Sequence, residues 1–99
     1  MTEPKTIALA DSLDMTAAGP LHRELLEVRG QAVTLDGAAV RRLGGQCLQV
    51  LLAAETAWAA DGQAFEIVNP SPEFADGLAL LGAGHLAPPG FAAAPFVQD

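Results

Sequence analysis

The sequence predicts an α/β fold, a mixed, partly parallel sheet with helices packed on it. Short runs of β-type residues at positions 6–10, 32–36 and 64–68 alternate with segments whose apolar residues recur at helical spacing. That alternation argues for strand–helix–strand crossovers, which leave neighbouring strands parallel and covered by helices. Size sets the third constraint. The 99 residues, 51% of them hydrophobic, suffice for one core and fall short of two ordinary domains. One domain is therefore expected over residues 1–87, followed by a Pro- and Ala-rich tail at 88–99.

In chain order, Thr6-Ile7-Ala8-Leu9-Ala10 reads as a strand and Asp11-Ser12-Leu13-Asp14 as the turn that ends it. Thr16 is the expected cap of the first helix, with Pro20 accommodated in its first turn. Leu21, Leu25 and Val28 share one face, while His22, Arg23, Glu24, Glu27 and Arg29 face water, and Gly30 stops the helix. Residues 32–36 form the next strand and residues 37–46 a turn region. A long apolar helix runs from about Cys47 to Ala60, with Trp58 on its buried stripe, and Asp61-Gly62 terminates it. After the strand at 64–68, Asn69-Pro70-Ser71-Pro72 turns the chain. Ser71 caps a last helix whose inner face is Phe74, Leu78 and Leu81, and Gly82 and Gly84 end it. Residues 82–99 show no helical or strand period. They form either an extended arm held by Phe91 and Phe96 or a disordered tail.

Charge narrows the function classes. With 12 Asp and Glu against 5 Lys and Arg, the net charge of -7 repels phosphate backbones and anionic lipid, which argues against nucleic acid and membrane surfaces. A protein partner is left. No apolar run reaches the roughly 20 residues of a membrane span, because Gln49, Glu55 and Thr56 interrupt the longest one. The N-terminus lacks the basic flank and apolar stretch of a signal peptide, and a single cysteine allows no internal disulfide. The expected location is the cytoplasm.

The segment Ala32-Val33-Thr34-Leu35-Asp36, a turn, and Leu43-Gly44-Gly45-Gln46-Cys47-Leu48-Gln49-Val50-Leu51-Leu52 resembles the signature of STAS domains, the family of anti-sigma factor antagonists and related modules. There the pattern is roughly L-D, a few residues, then D-S-S-G-L or D-T-A-G-L before the helix. Aligned on Leu48, Val50, Leu51 and Leu52, Gly44 stands where the family has Asp, Gly45 and Gln46 occupy the next two positions, and Cys47 replaces Gly. The resemblance covers residues 6–87, without an extra strand before Ile7 and with the final strand and helix reduced to His85-Leu86. It implies a non-catalytic regulatory domain of bacterial type that binds a protein at this turn. In phosphorylated members a Ser or Thr hydroxyl here accepts phosphate from a partner kinase, and the added charge switches binding. Gly45 and Gln46 carry no hydroxyl, so no phosphorylation site is expected there. Ser12, Thr16 and Thr34 are hydroxyls elsewhere, explained by capping and strand roles. The partners the resemblance implies are a kinase-fold anti-sigma factor, a chemotaxis component, or the ABC ATPase of a lipid-transport system. The docking residues are expected to be Arg41, Arg42, Gly44, Gly45, Gln46 and Gln49.

Other chemistry is weakly represented. Gly44-Gly45 at a helix start presents free N–H groups, which would suit an anion and keep a small-molecule or nucleotide module as the alternative class. Gln46-Cys47 stands where a Walker motif needs Lys and Ser or Thr. Cys47 at a helix N-terminus could be activated, but burial as a small apolar residue is the simpler account. His22 and His85 lie far apart in sequence, Asp11 and Asp14 flank a turn, and no acid/base pair is visible. No catalytic residue, metal ligand or cofactor is expected.

Overall fold

The computed structural model describes residues 4–87. In chain order the elements are β1 (Lys5–Ala8), β2 (Ser12–Leu13), α1 (Met15–Glu27), β3 (Val33–Asp36), β4 (Arg42–Leu43), α2 (Gly45–Ala60), β5 (Phe65–Val68), α3 (Pro72–Leu80) and a 3-10 turn (Gly84–Leu86). The main sheet has the order β1-β3-β5 and is parallel, with Ile7, Leu35 and Ile67 in one row and Lys5, Val33 and Phe65 in the next. Side chains alternate across a strand, so Ile7, Val33, Leu35, Phe65 and Ile67 share one face while Thr6, Thr34 and Glu66 share the other. Both crossovers step to the next strand in the same direction. Right-handed connections then put α1 and α2 on the same face of the sheet, where they pack on each other. The parallel part of the expected sheet is thus what the described residues contain.

Several local expectations need correction. The cap of α1 is Asp14, not Thr16: its carboxylate accepts from the Thr16 N–H (2.9 Å), the Ala17 N–H (3.2 Å) and the Thr16 hydroxyl (2.6 Å). A charged acceptor at a helix N-terminus gains from the dipole, which a neutral hydroxyl does not. Pro20 sits inside α1 rather than in its first turn. It has no N–H to give, and the preceding residue, Gly19, has no Cβ to meet the ring. Ser12-Leu13 is not merely a turn, nor are residues 37–46: β2 and β4 pair in parallel, Ser12 with Arg42 and Leu13 with Leu43. Leu13 is buried by that pairing. Helix α2 starts at Gly45, two positions before the expected Cys47. Leu81 is exposed because α3 ends at Leu80 and Gly82, at φ +79°, turns the backbone away before the inner face is complete. Residues 88–99, with Phe91 and Phe96, lie outside the described residues.

The remaining elements follow their sequence signals. Leu21 and Leu25 are buried on α1, and His22, Arg23, Glu24, Glu27 and Arg29 are exposed. Helix α2 buries Cys47, Leu48, Leu51, Ala54 and Trp58, a stripe at helical spacing, and ends at Asp61 with Gly62 at φ +70°. Trp58 is 1% exposed; its Nε1–H donates to the Gln31 carbonyl at 2.8 Å, so burial leaves no polar group unpaired. Phe74 and Leu78 anchor α3 in the same core.

Two residues lock the loop that leads from β3 to β4. A Cβ on Gly37 would stand 2.5 Å from Phe74 Cδ2 and 3.3 Å from Pro70 Cα, so only glycine lets the chain pass there. Ser71 caps α3 by accepting from the Phe74 N–H at 3.0 Å while its hydroxyl donates to the buried carbonyl of Val40. Gly37→Ala is expected to destabilise the domain by about 1–3 kcal/mol through overpacking against Phe74. At Gly45, where an added Cβ meets nothing within 4 Å, alanine should be neutral or slightly stabilising. Ser71→Ala removes the cap and strands the Val40 carbonyl, for an expected loss of about 2 kcal/mol. Urea titrations of the three variants check these values, and an unaltered midpoint for Gly37→Ala would contradict the packing assignment.

Candidate functional site

In a parallel sheet crossed by helices, the helix N-termini gather at the end where the strands finish. Here the short β2–β4 ladder brings two of them together. The Gly44 N–H donates to the Leu13 carbonyl at 2.8 Å, and the N–H groups of Arg41 and Arg42 converge on the Asp11 carbonyl at 2.6 and 3.3 Å. A Cβ on Gly44 would lie 3.3 Å from Leu13 O and 3.8 Å from Asp14 Cα, so glycine allows the start of α2 to lie close to the start of α1.

The two helix starts are chemically opposite. Asp14 neutralises that of α1, and its carboxyl is held below the ordinary carboxylate range, first by the Thr16 hydroxyl and then by the Thr16, Ser12 and Ala17 donors acting against desolvation. Because the folded-state value is depressed, this cap is fully present above the ordinary carboxyl pKa and fades as acid protonates it. Gly44, the cap residue of α2, offers no side-chain acceptor. The first N–H groups of α2 are therefore left for water or an incoming group.

Cys47, in the first turn of α2, is fully buried, and its Sγ–H donates to the Asp14 carbonyl at 3.3 Å. Burial, seconded by the Asp14 charge, pushes its thiol pKa up, the opposite of what an activated thiolate needs. The hydroxyls of Ser12 and Thr16 both donate to the Asp14 carboxylate. His22 is exposed on α1, and His85 Nε2 lies 3.0 Å from Glu55 Oε1, remote in role from this turn. Among the described residues no three His, Cys, Asp or Glu side chains are grouped to hold a metal ion.

Of the residues expected to dock a partner, Arg41, Arg42, Gly45, Gln46 and Gln49 are exposed and Gly44 is half-buried. Among the described residues neither Arg41 nor Arg42 forms an ion pair. The structure adds two residues from a distant stretch of chain: Asp14 and Met15, the latter 70% exposed at the first position of α1. The available signal was the repeated pattern of a polar residue and leucine, Ser12-Leu13 and Arg42-Leu43, each just before a helix.

Residues 2–88 match the family model described as Mlab, STAS domain. No match was found among curated proteins or among solved structures. No helix of the described residues is long and apolar enough to cross a membrane. The match spans every element described above, including the β3–β4–α2 unit and its exposed turn, and it assigns a regulatory or binding module in general: the chain belongs to the STAS domain family.

Proposed function

We propose that this STAS domain is a non-catalytic regulatory module of bacterial signalling that works in the cytoplasm by docking on a protein. It docks through the start of α2, with Arg41, Arg42, Gly44, Gly45, Gln46 and Gln49 as the contact residues and Asp14 and Met15 beside them. A single observation carries this reading. The turn at Gly44-Gly45-Gln46 is open and has neither an acid nor a hydroxyl, yet Leu48 and Leu51 directly beneath it are buried in the core. The frame that presents a docking turn is intact while the group that would accept phosphate is missing, so binding is constitutive and set by abundance.

The electrostatics support a protein partner. On a chain of net charge -7, Arg41 and Arg42 form a local basic spot beside an uncapped helix N-terminus, which suits an acidic contact group. The partner is a kinase-fold anti-sigma factor or a chemotaxis component; recovery of an ABC ATPase in its place would assign the domain to a lipid-transport system.

Gly45→Glu tests the site. The free protein has room for the side chain, so an effect on binding is not an effect on folding. Affinity for the recovered partner should fall by about tenfold or more, a loss of roughly 1.4 kcal/mol, whereas Thr56→Glu, exposed further along α2, should bind like wild type. Undiminished binding by folded Gly45→Glu would overturn the assignment, as would a stoichiometric phosphate on Ser12, Thr16 or Thr34 that changes affinity. Phosphate or ATP at millimolar concentration should leave the amide resonances of Gly44, Gly45 and Gln46 in place; a saturable shift there would favour the small-molecule or nucleotide reading.

A further inference from the structure

The face of α1 turned away from the sheet is a ridge of exposed residues, Gly19, Arg23, Leu26 and Glu27, set at helical spacing opposite the buried Leu21 and Leu25. Leu26 is 50% exposed. Beside it an open groove of about 180 Å³ runs between the helices, walled by His22, Leu26 and Arg29 on one side and by Val50, Ala53 and Ala57 of α2 on the other. Among the described residues no acidic side chain lines it. The polar side chains of α2 are Gln46, Gln49, Glu55 and Thr56 alone, and a helix apolar over so much of its surface is normally covered on more than one side.

The ridge carries charges of both signs. Among the described residues neither Arg23 nor Glu27 forms an ion pair, although the two stand one turn apart on the same helix. The Arg23 side chain runs the other way. A Cβ on Gly19 would lie 3.7 Å from Arg23 Nη1, so the missing side chain leaves a hollow with a guanidinium at its edge. Leu26 and Glu27 are the complement, an apolar knob with a carboxylate beside it. One ridge holds both halves of a contact, as an interface between identical copies requires.

We propose that this ridge packs antiparallel on the same ridge of a second copy of the chain. A two-fold axis midway between positions 19 and 26 sets each Leu26 over Gly19 of the other copy and each Glu27 against the guanidinium of Arg23. The small Ala53 and Ala57 keep the flanking α2 surface low enough for the second helix to approach. Leu80 and Leu81, also exposed, fit a second copy less well, because the charged residues of α3, Glu73 and Asp76, are both acidic and repel their own kind. The net charge of -7 does not forbid the α1 contact, since charges more than about 8 Å apart are largely screened at physiological ionic strength. Two helices about 20 Å long offer roughly 400 Å² per copy, half of a standard interface, so the dimer is weak and reversible.

Sedimentation equilibrium of the full chain from about 20 μM to about 2 mM tests the contact, and wild type is expected to pass from monomer toward dimer within that range. Arg23→Glu and Glu27→Arg alter exposed positions and leave the fold in place. Each alone should weaken self-association by about tenfold or more, whereas an equimolar mixture of the two should associate like wild type, because every charge then meets its opposite. A general charge effect predicts otherwise: Glu27→Arg makes the chain less negative and would strengthen its self-association. In a sample mixed from labelled and unlabelled chains, nuclear Overhauser contacts are expected between the Leu26 methyls and the Gly19 α-protons of the other copy. A wild-type chain that stays monomeric at about 2 mM overturns the proposal. So does tighter self-association of Glu27→Arg, a mixture no tighter than its components, or a dimer that lacks the Leu26 to Gly19 contacts and so uses another surface.

Discussion

The surface at the sheet's C-terminal end hangs on the backbone of Gly37. Its N–H donates to Val68 O at 2.9 Å, and its carbonyl accepts from Val40 N at 3.2 Å and Ser71 N at 3.0 Å. The exit of β3, the exit of β5 and the entry to α3 therefore meet at one peptide. The Phe74 ring occupies the space a side chain would need, which couples the loop after β3 to the packing of α3. Ser71 completes the tie by holding Val40, itself fully buried, through its hydroxyl. The path from Gly37 to Arg41 has little freedom left, and that fixes where β4 begins.

From this anchor the turn before α2 is assembled by backbone hydrogen bonds rather than by side chains. β4 lies beside β2, and the two leucines of that ladder, Leu13 and Leu43, turn into the core region. The helices that follow β2 and β4 inherit the spacing of the ladder and start next to each other. Two helix N-termini side by side are electrostatically unfavourable, each carrying roughly half a positive charge. Asp14 offsets one of them at short range. Its backbone carbonyl also receives the Cys47 thiol, so one residue stabilises α1 with its side chain and steadies the first turn of α2 with its main chain. The other N-terminus has no side-chain cap.

At the far end of the helix pair a separate set of contacts fixes the angle between α1 and α2. Arg29, just past the end of α1, pairs with Asp61 at 2.9 Å and lies 5.6 Å from the centre of the Trp58 ring. Asp61 holds the guanidinium pKa above its ordinary value, first through the hydrogen bond and then through charge. Both groups are well exposed, so the pair adds little by itself. Its effect is positional: it covers the indole that plugs the end of the core, where Trp58 also meets Phe65 at 6.0 Å.

The pattern of apolar residues determined the three main strands, the three helices and their order, because those elements satisfy their backbone hydrogen bonds locally or along a period that the sequence displays. The caps at Ser71 and Gly62 were legible for the same reason. So was the exposure of Arg41, Arg42, Gly45, Gln46 and Gln49, polar or glycine residues outside the apolar stripe of α2. What the sequence left open is everything set by pairs distant along the chain. Ser12-Leu13 and Arg42-Leu43 are too short to show strand alternation, and they become strands only because each supplies the other's partner. The sequence pointed to Thr16 as the cap of α1, and only the β2 ladder placed Asp14 at the extended position before the helix. The fate of Cys47, activated thiol or buried methylene-sized filler, was likewise decided by the closeness of α1, which excludes water from the sulfur. Local periodicity specifies elements; the juxtaposition of two helix starts needs a ladder between segments some thirty residues apart, and only the folded chain supplies it.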